Sequence, residues 1–325
     1  MIDRALAVGE YRAVDLINVD LGRRLVGSLR PTRPSRSNAS PPWAPDLPPG
    51  RMLSLPGRGE VFIRESHAGT GGVTVLLLHA WTLSLDVNYF GLMPGLAARH
   101  PFVGLDHRGH AGGLPINGPF TIADCADDVL AVLDELGLDR VVVCGYSLGG
   151  PVGMHLALAH PERVAGLVLA ATALNYRQWW RDRILWRLVK AVGPLARLGL
   201  GSSISARYFG INRAETPALA ERWPWLQREL LRTPFANAVA MGDAVTRYDL
   251  RGAVGSLAGI PSAVIVATRD GLCLPRWQRQ LAEQISATTF TLDADHDVPV
   301  TRPEEFAAVM LDAIAHVQAL AEQPR

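Results

Sequence analysis

Lysine is almost missing from this chain: of 32 basic residues, Lys190 is the only lysine. The arginines are balanced by 31 acidic residues, leaving a formal net charge of +1. No basic footprint for a nucleic-acid backbone is present, and the arginine excess reads as genome composition bias. Cysteine is scarce as well. Cys125, Cys144 and Cys273 are too few and too scattered for a disulfide framework or a metal site, and they point to a reducing compartment. Nowhere does the chain approach the ~18 consecutive apolar residues of a membrane span. The start, Met1-Ile2-Asp3-Arg4, lacks a basic-then-apolar export pattern, so a cytoplasmic location is expected. With 48% hydrophobic and 19% charged residues the chain is globular, not disordered. Its 325 residues suit one large α/β domain with an insertion, or two modest domains.

What is present is strongly ordered along the chain. Residues 1–30 carry Leu6, Val14, Ile17, Leu21 and Leu25 at near-helical spacing among mixed charges. Such a helix can dock on the main domain, meet a partner or lie on a membrane surface, and the mixed charge favours docking. Seven prolines between Pro31 and Pro49 then make an extended linker or a wrapped arm.

From residue 51 strands and helices alternate. Met52–Leu55 and Glu60–Arg64 read as a hairpin around Pro56-Gly57-Arg58-Gly59. Val73–Leu78, Phe102–Leu105, Val141–Cys144 and Val164–Ala170 read as buried strands, and Phe90–His100 as a helix. Thr121-x-x-Asp124 is a capping box that opens a helix through Leu136. The alternation predicts a doubly wound parallel sheet. It stops over 173–250, a helical or irregular stretch holding five of the eight tryptophans. Strands resume at Ser262–Ala267 and Thr288–Leu292, with helices over Pro275–Ile285 and Pro303–Ala319.

Within this frame Gly145-Tyr146-Ser147-Leu148-Gly149-Gly150 joins a β-branched strand directly to a helix. Glycines two before and two after the serine allow the two backbones to cross. The serine is then expected in a strained conformation, with its hydroxyl raised above the sheet. A serine hydroxyl needs a base, and the base an orienting acid, each at the C-terminal edge of a strand. Asp270 follows the strand ending at Ala267, and His296 follows the last strand, in the order Ser…Asp…His.

Asp293, Asp295 and Asp297 neighbour His296 on one tight loop and seldom reach the far ring nitrogen from there. The loop after Ala170 offers no carboxylate before Asp182. His160 and His316 lie at or in helices, and His155 lies in the helix behind the serine. All three read as structural or solvated. Leu148, next to the serine, supplies one backbone N–H for an oxyanion.

These motifs, with His79-Ala80-Trp81-Thr82 after the strand ending at Leu78, resemble the α/β-hydrolase family in its branch with an inserted helical cap. Asp106-His107-Arg108-Gly109-His110-Ala111-Gly112-Gly113 resembles that family's structural Asp-x-Arg-Gly-x-Gly loop. The resemblance covers about 51–172 and 251–320. It implies a mostly parallel eight-stranded sheet with a cap after the sixth strand. The divisions are then an arm over 1–50, core over 51–172, a cap over 173–250 and core again over 251–325. By the same resemblance Trp81 donates the second oxyanion N–H and His79 is a scaffold residue. Ala80 and Ala111 stand where the family has smaller residues.

The expected chemistry is acyl transfer through Ser147, with no metal or cofactor, on a small-molecule ester. A serine nucleophile counts against the epoxide hydrolase and haloalkane dehalogenase relatives, which need a carboxylate there. It leaves esterase or lipase, thioesterase, C–C bond hydrolase, acyltransferase and perhydrolase. Trp179, Trp180 and Trp186 either line an apolar substrate pocket or pack the cap's own core. Arg177, Arg181 or Arg183 could instead hold a charged substrate. A catalytically idle ligand receptor on the same fold stays open, although such proteins often lose a triad member and all three are present here.

Overall fold

The structure, a computed structural model, describes residues 43–67, 72–177 and 217–323, with single helical positions at 184, 187 and 191. The predicted helix over 1–30 and most of the proline arm lie outside the described residues.

Eight strands form one sheet: β1 (Gly50–Leu55), β2 (Gly59–Ser66), β3 (Val75–Leu78), β4 (Phe102–Leu105), β5 (Val141–Tyr146), β6 (Val164–Ala170), β7 (Ser262–Ala267) and β8 (Thr288–Leu292). Their order is β1-β2-β4-β3-β5-β6-β7-β8. β2 runs antiparallel to both β1 and β4, and the remaining pairs are parallel. The five strands β3 to β7 are buried along their whole length, as strands covered on both faces must be.

Helices cover both faces. One face carries α3 (Ile122–Glu135), α4 (Gly149–Ala159) and α7 (Pro275–Gln284), with Val129, Val152 and Leu281 packed against the sheet. The other carries α1 (Leu85–Tyr89), α2 (Met93–Ala97) and α9 (Pro303–Ala321), through Leu85, Met93, Phe306 and Ile314. Between β6 and β7 the described part of the insertion forms α5 (Pro217–Leu230) and α6 (Phe235–Arg247). The short α8 (Val298–Thr301) precedes α9.

Local chemistry sets several boundaries. Thr121 and Asp124 make the reciprocal capping box, and α3 ends at Glu135 with Leu136 as its cap. The helix expected over Phe90–His100 is shorter, with only Met93–Ala97 (α2) helical there, and a separate short helix, α1 (Leu85–Tyr89), lies just before it. Ser84 starts α1 by accepting from the Val87 amide. Gly91 then presses on α9, where a Cβ would lie 2.9 Å from the Pro303 carbonyl oxygen. β3 also begins later than the expected Val73. The Gln318 carboxamide on α9 takes both backbone groups of Val73, donating to its carbonyl and accepting from its amide at 3.0 Å.

Of the two readings of the proline arm, its described end is wrapped. Trp43 meets Phe90 and Trp225 edge-on at 5.8 and 5.5 Å between centroids, with the Arg222 guanidinium 5.5 Å from its ring.

Gly149 starts α4 against β3, and a Cβ there would stand 2.0 Å from the Leu78 carbonyl oxygen. Gly149→Ala is expected to cost about 1–3 kcal/mol or more. Gly252→Ala, where a Cβ meets nothing within 4 Å, is expected to stay within about 0.5 kcal/mol. Urea unfolding of both variants checks the contrast.

Candidate active site

β5 ends at Tyr146, and Ser147 stands at its tip with φ 50°. A side chain rarely holds that left-handed conformation unless its surroundings impose it. The amide of Ser147 donates to Ala170 on β6 at 2.9 Å. Its carbonyl accepts from Gly150 N–H at 3.0 Å, Thr172 Oγ1 at 2.8 Å and Tyr176 Oη at 3.1 Å. The crossing of backbones expected at the glycines is present: a Cβ on Gly145 would lie 2.5 Å from the Gly149 oxygen. Thr172 fills the space beside Gly150, where a Cβ would meet its Oγ1 at 2.4 Å.

Three side chains distant in sequence meet at this tip. Ser147 Oγ is 2.9 Å from His296 Nε2, and His296 Nδ1 is 2.8 Å from Asp270 Oδ2. An ionised carboxylate only accepts, so Asp270 holds the imidazole proton on Nδ1 and leaves Nε2 to accept from the serine hydroxyl. Burial works to lower the pKa of His296. The charge and hydrogen bond of Asp270, with the charges of Asp295 and Asp297, outweigh it and hold the ring above its ordinary range.

Asp270 is itself fixed. Its Oδ1 accepts from the Leu272 and Cys273 amides at 2.8 and 2.7 Å, and its Oδ2 from Gln278 Nε2 at 3.1 Å. The rival carboxylates serve the loops. Asp295 accepts from the amides of His296 and Gly271, tying the histidine loop to the acid loop, and Asp293 accepts from Thr268. Tyr146 adds a tie from the strand side of the elbow, the sharp turn from β5 through Ser147 into α4, donating to the His296 carbonyl at 2.9 Å.

Leu148 is the N-cap of α4, so its amide belongs to the unpaired donors of a helix start. Leu78 pairs with Gly145 in the sheet, which brings the turn 79–82 beside the serine. That turn is braced throughout. Ala80 N–H donates to Asn88 Oδ1 at 2.8 Å, and Thr82 N–H to His110 Nε2 at 3.1 Å. The Trp81 indole donates to Ala238 on α6 at 2.8 Å. The left-handed residue here is Thr82, with φ 66°, so Ala80 carries its Cβ without that strain. His79 is wholly buried, bonded to the Ala80 carbonyl through Nδ1 and accepting from the His107 amide through Nε2. Both nitrogens serve the backbone. Trp179, Trp180 and Trp186 lie outside the described residues.

Sequence reasoning missed Thr172, Tyr176, Tyr146 and Gln278. The signals were there: two polar residues just past a buried strand, and a glutamine among the buried positions of a short helix.

A family profile described as the alpha/beta hydrolase fold matches residues 73–302. The chain is 28% identical over 205 residues to 3-oxoadipate enol-lactonase 2 of Acinetobacter baylyi, covering 62% of this chain and 73% of that one. It is 27% identical over 257 residues to a pimeloyl-[acyl-carrier protein] methyl ester esterase of Edwardsiella ictaluri, covering 75% and 94%. Among solved structures, a hydrolase from Pseudomonas aeruginosa superposes with a TM-score of 0.66 at 26% identity, covering 82% of this chain and 98% of the other.

The turn beside the serine rests on three clustered imidazoles, His79 lying tilted 4.3 Å from His107 and edge-on 5.2 Å from His110 between centroids. Burial pushes His107 down to about 3 and His110 down to about 4. Neither ring nitrogen of His107 has a hydrogen-bond partner among the described residues. A histidine with a depressed folded pKa contributes its full stability above the unfolded value of 6.5 and loses it as pH falls toward the folded one. His107→Phe removes that proton site. Below pH 6.5 the wild type is expected to lose stability relative to this variant by about 1.4 kcal/mol per pH unit, read from unfolding curves between pH 7 and 4.

Proposed function

The chain belongs to the alpha/beta hydrolase fold family, and from that premise we propose that it is a serine hydrolase cleaving carboxylic esters through an acyl-enzyme on Ser147. The observation that carries the reading is the unbroken line of hydrogen bonds from Asp270 through His296 to Ser147, at 2.8 and 2.9 Å.

In this mechanism His296 Nε2 takes the hydroxyl proton as Ser147 Oγ attacks the ester carbonyl carbon. The carbonyl π pair moves onto oxygen, and the backbone N–H groups of Leu148 and Trp81 hold the oxyanion. Asp270 keeps the ring in the productive tautomer and stabilises the imidazolium. The oxyanion then collapses and the C–O bond to the alcohol breaks. His296 returns its proton to the leaving oxygen. A water deprotonated by the same nitrogen repeats the sequence and releases the acid.

We take 173–250 as a cap that shapes the substrate site over the 51–172 and 251–325 core. Its α6 and the turn before it support this, because Ala238 on α6 accepts from Trp81, Asn237 on α6 donates to Gly109, and Thr233 just before α6 accepts from Ala111. The substrate is a small-molecule ester with an apolar acyl or alcohol part. The names of an enol-lactonase and a methyl ester esterase among the relatives fit carboxylic ester chemistry.

A chain-length series of p-nitrophenyl esters, with fluorophosphonate labelling in parallel, tests the reading. In Ser147→Ala both labelling and turnover are expected to vanish, the rate falling by at least about 10³-fold. A folded wild type that takes no label overturns the proposal.

The base must be neutral to act. Activity is therefore expected to rise with pH through a limb lying above 6.5, the ordinary histidine value, because the surrounding carboxylates raise it. Asp270→Asn removes the leading stabilising charge, so the residual limb is expected at lower pH. The pH profile of kcat/KM for both proteins reads the shift.

A further inference from the structure

We propose that Gln278 is a positioning residue that holds Asp270 and thereby tunes the basicity of His296. The inference rests on the reading of Asp270 as the acid that orients His296.

Gln278 sits on α7 beside the buried residues Trp277, Leu281 and Ala282, and it is itself fully buried. A carboxamide in such a place is costly unless its polar atoms are matched. Here they are. Nε2 donates to Asp270 Oδ2 at 3.1 Å and to the Cys273 carbonyl, and Oε1 accepts from the Ala267 amide at 2.9 Å. One side chain thus joins the end of β7, the acid loop and the carboxylate. The flipped amide would set its oxygen against a carboxylate and a carbonyl, and its NH₂ against an N–H. The chemistry of the neighbours therefore fixes its orientation.

The carboxylate oxygens differ in use. Oδ1 takes the two loop amides, while Oδ2 faces His296 and takes the Gln278 donor as well. Gln278 therefore acts on the oxygen that holds the imidazole proton. It stops the carboxylate turning away from the ring, and it draws electron density that would otherwise serve Nδ1–H. A glutamine that only packed the helix, or only held Cys273 and Ala267, would do neither. The other titratable groups around the pair lie on its own two loops and on the neighbouring β5 and β6 ends. They are Asp295 and Asp297 on the histidine loop, Tyr146 on β5, Tyr176 after β6, and Cys273 on the acid loop.

The test uses the full chain and two substitutions. Gln278→Met keeps the length and removes the donors. Gln278→Glu keeps an acceptor for Ala267 and brings negative charge beside Asp270. Three quantities are read: the melting temperature, kcat and KM on the best p-nitrophenyl ester, and the pH dependence of the fluorophosphonate labelling rate. For Gln278→Met, kcat is expected to fall about tenfold with KM held within about twofold. The acid limb of labelling is expected to move up by about half a pH unit. For Gln278→Glu the limb is expected to move further up.

A lowered melting temperature with an unmoved limb, in whichever variant folds, overturns the proposal and leaves Gln278 a packing residue. An unchanged kcat with an unmoved limb overturns it equally. Failure of the parent reading is separate: it appears in the wild type as absent labelling, or as an Asp270→Asn protein with undiminished rate.

Discussion

A non-glycine residue at positive φ stands about 1–3 kcal/mol above its relaxed backbone, and Ser147 is held there at 50°. The centre of the sheet supplies what holds it. Three donors converge on its carbonyl, its amide is tied to β6, and Gly145 and Gly149 let the backbones close to distances no Cβ would allow. The neighbouring strand turns in the same way. Ala171, just past β6, also has positive φ (49°) and lies alongside the serine in the sheet register. The two adjacent strand ends thus leave the sheet together, and the space above them is where the serine hydroxyl stands.

The other groups reach that space because parallel strands all end at one edge. β3 brings the braced turn at 79–82, β7 brings Asp270 and β8 brings His296. The loop after β6 brings no carboxylate close to the strand end. It brings Thr172 and Tyr176 instead, which secure the serine from below. The loops are then bound to one another: Tyr146 to the His296 carbonyl, Asp295 to Gly271, and the Thr268 amide to Leu292. A chain of side-chain hydrogen bonds spanning 149 residues of sequence stays in line because its supports are short and cross-linked.

Much of this was legible in the sequence where the determinant is local. The elbow needs small residues at fixed offsets from a serine, so Gly145 and Gly149 announce it. The capping box at Thr121 and Asp124 and the buried β-branched runs are equally local. Helix and strand limits were less legible where a distant residue sets them. Gln318, from the far end of the chain, takes the backbone of Val73 just before the late start of β3, and Gly91, pressed on Pro303, lies between α1 and α2.

The sequence by itself determined the elbow, the order of Ser147, Asp270 and His296 along the chain, the alternation that makes a doubly wound sheet, and a net charge near zero. Each follows from residue type and short-range spacing. Only the tertiary structure decided which carboxylate faces His296, since Asp293, Asp295 and Asp297 differ from Asp270 in direction and not in kind. It also decided that β2 pairs antiparallel with β4, and that Gln278, Thr172 and Tyr176 serve the site. Hydrogen bonds are directional and short, so a partner is chosen by where the fold points a side chain. That direction depends on packing among elements far apart in the chain.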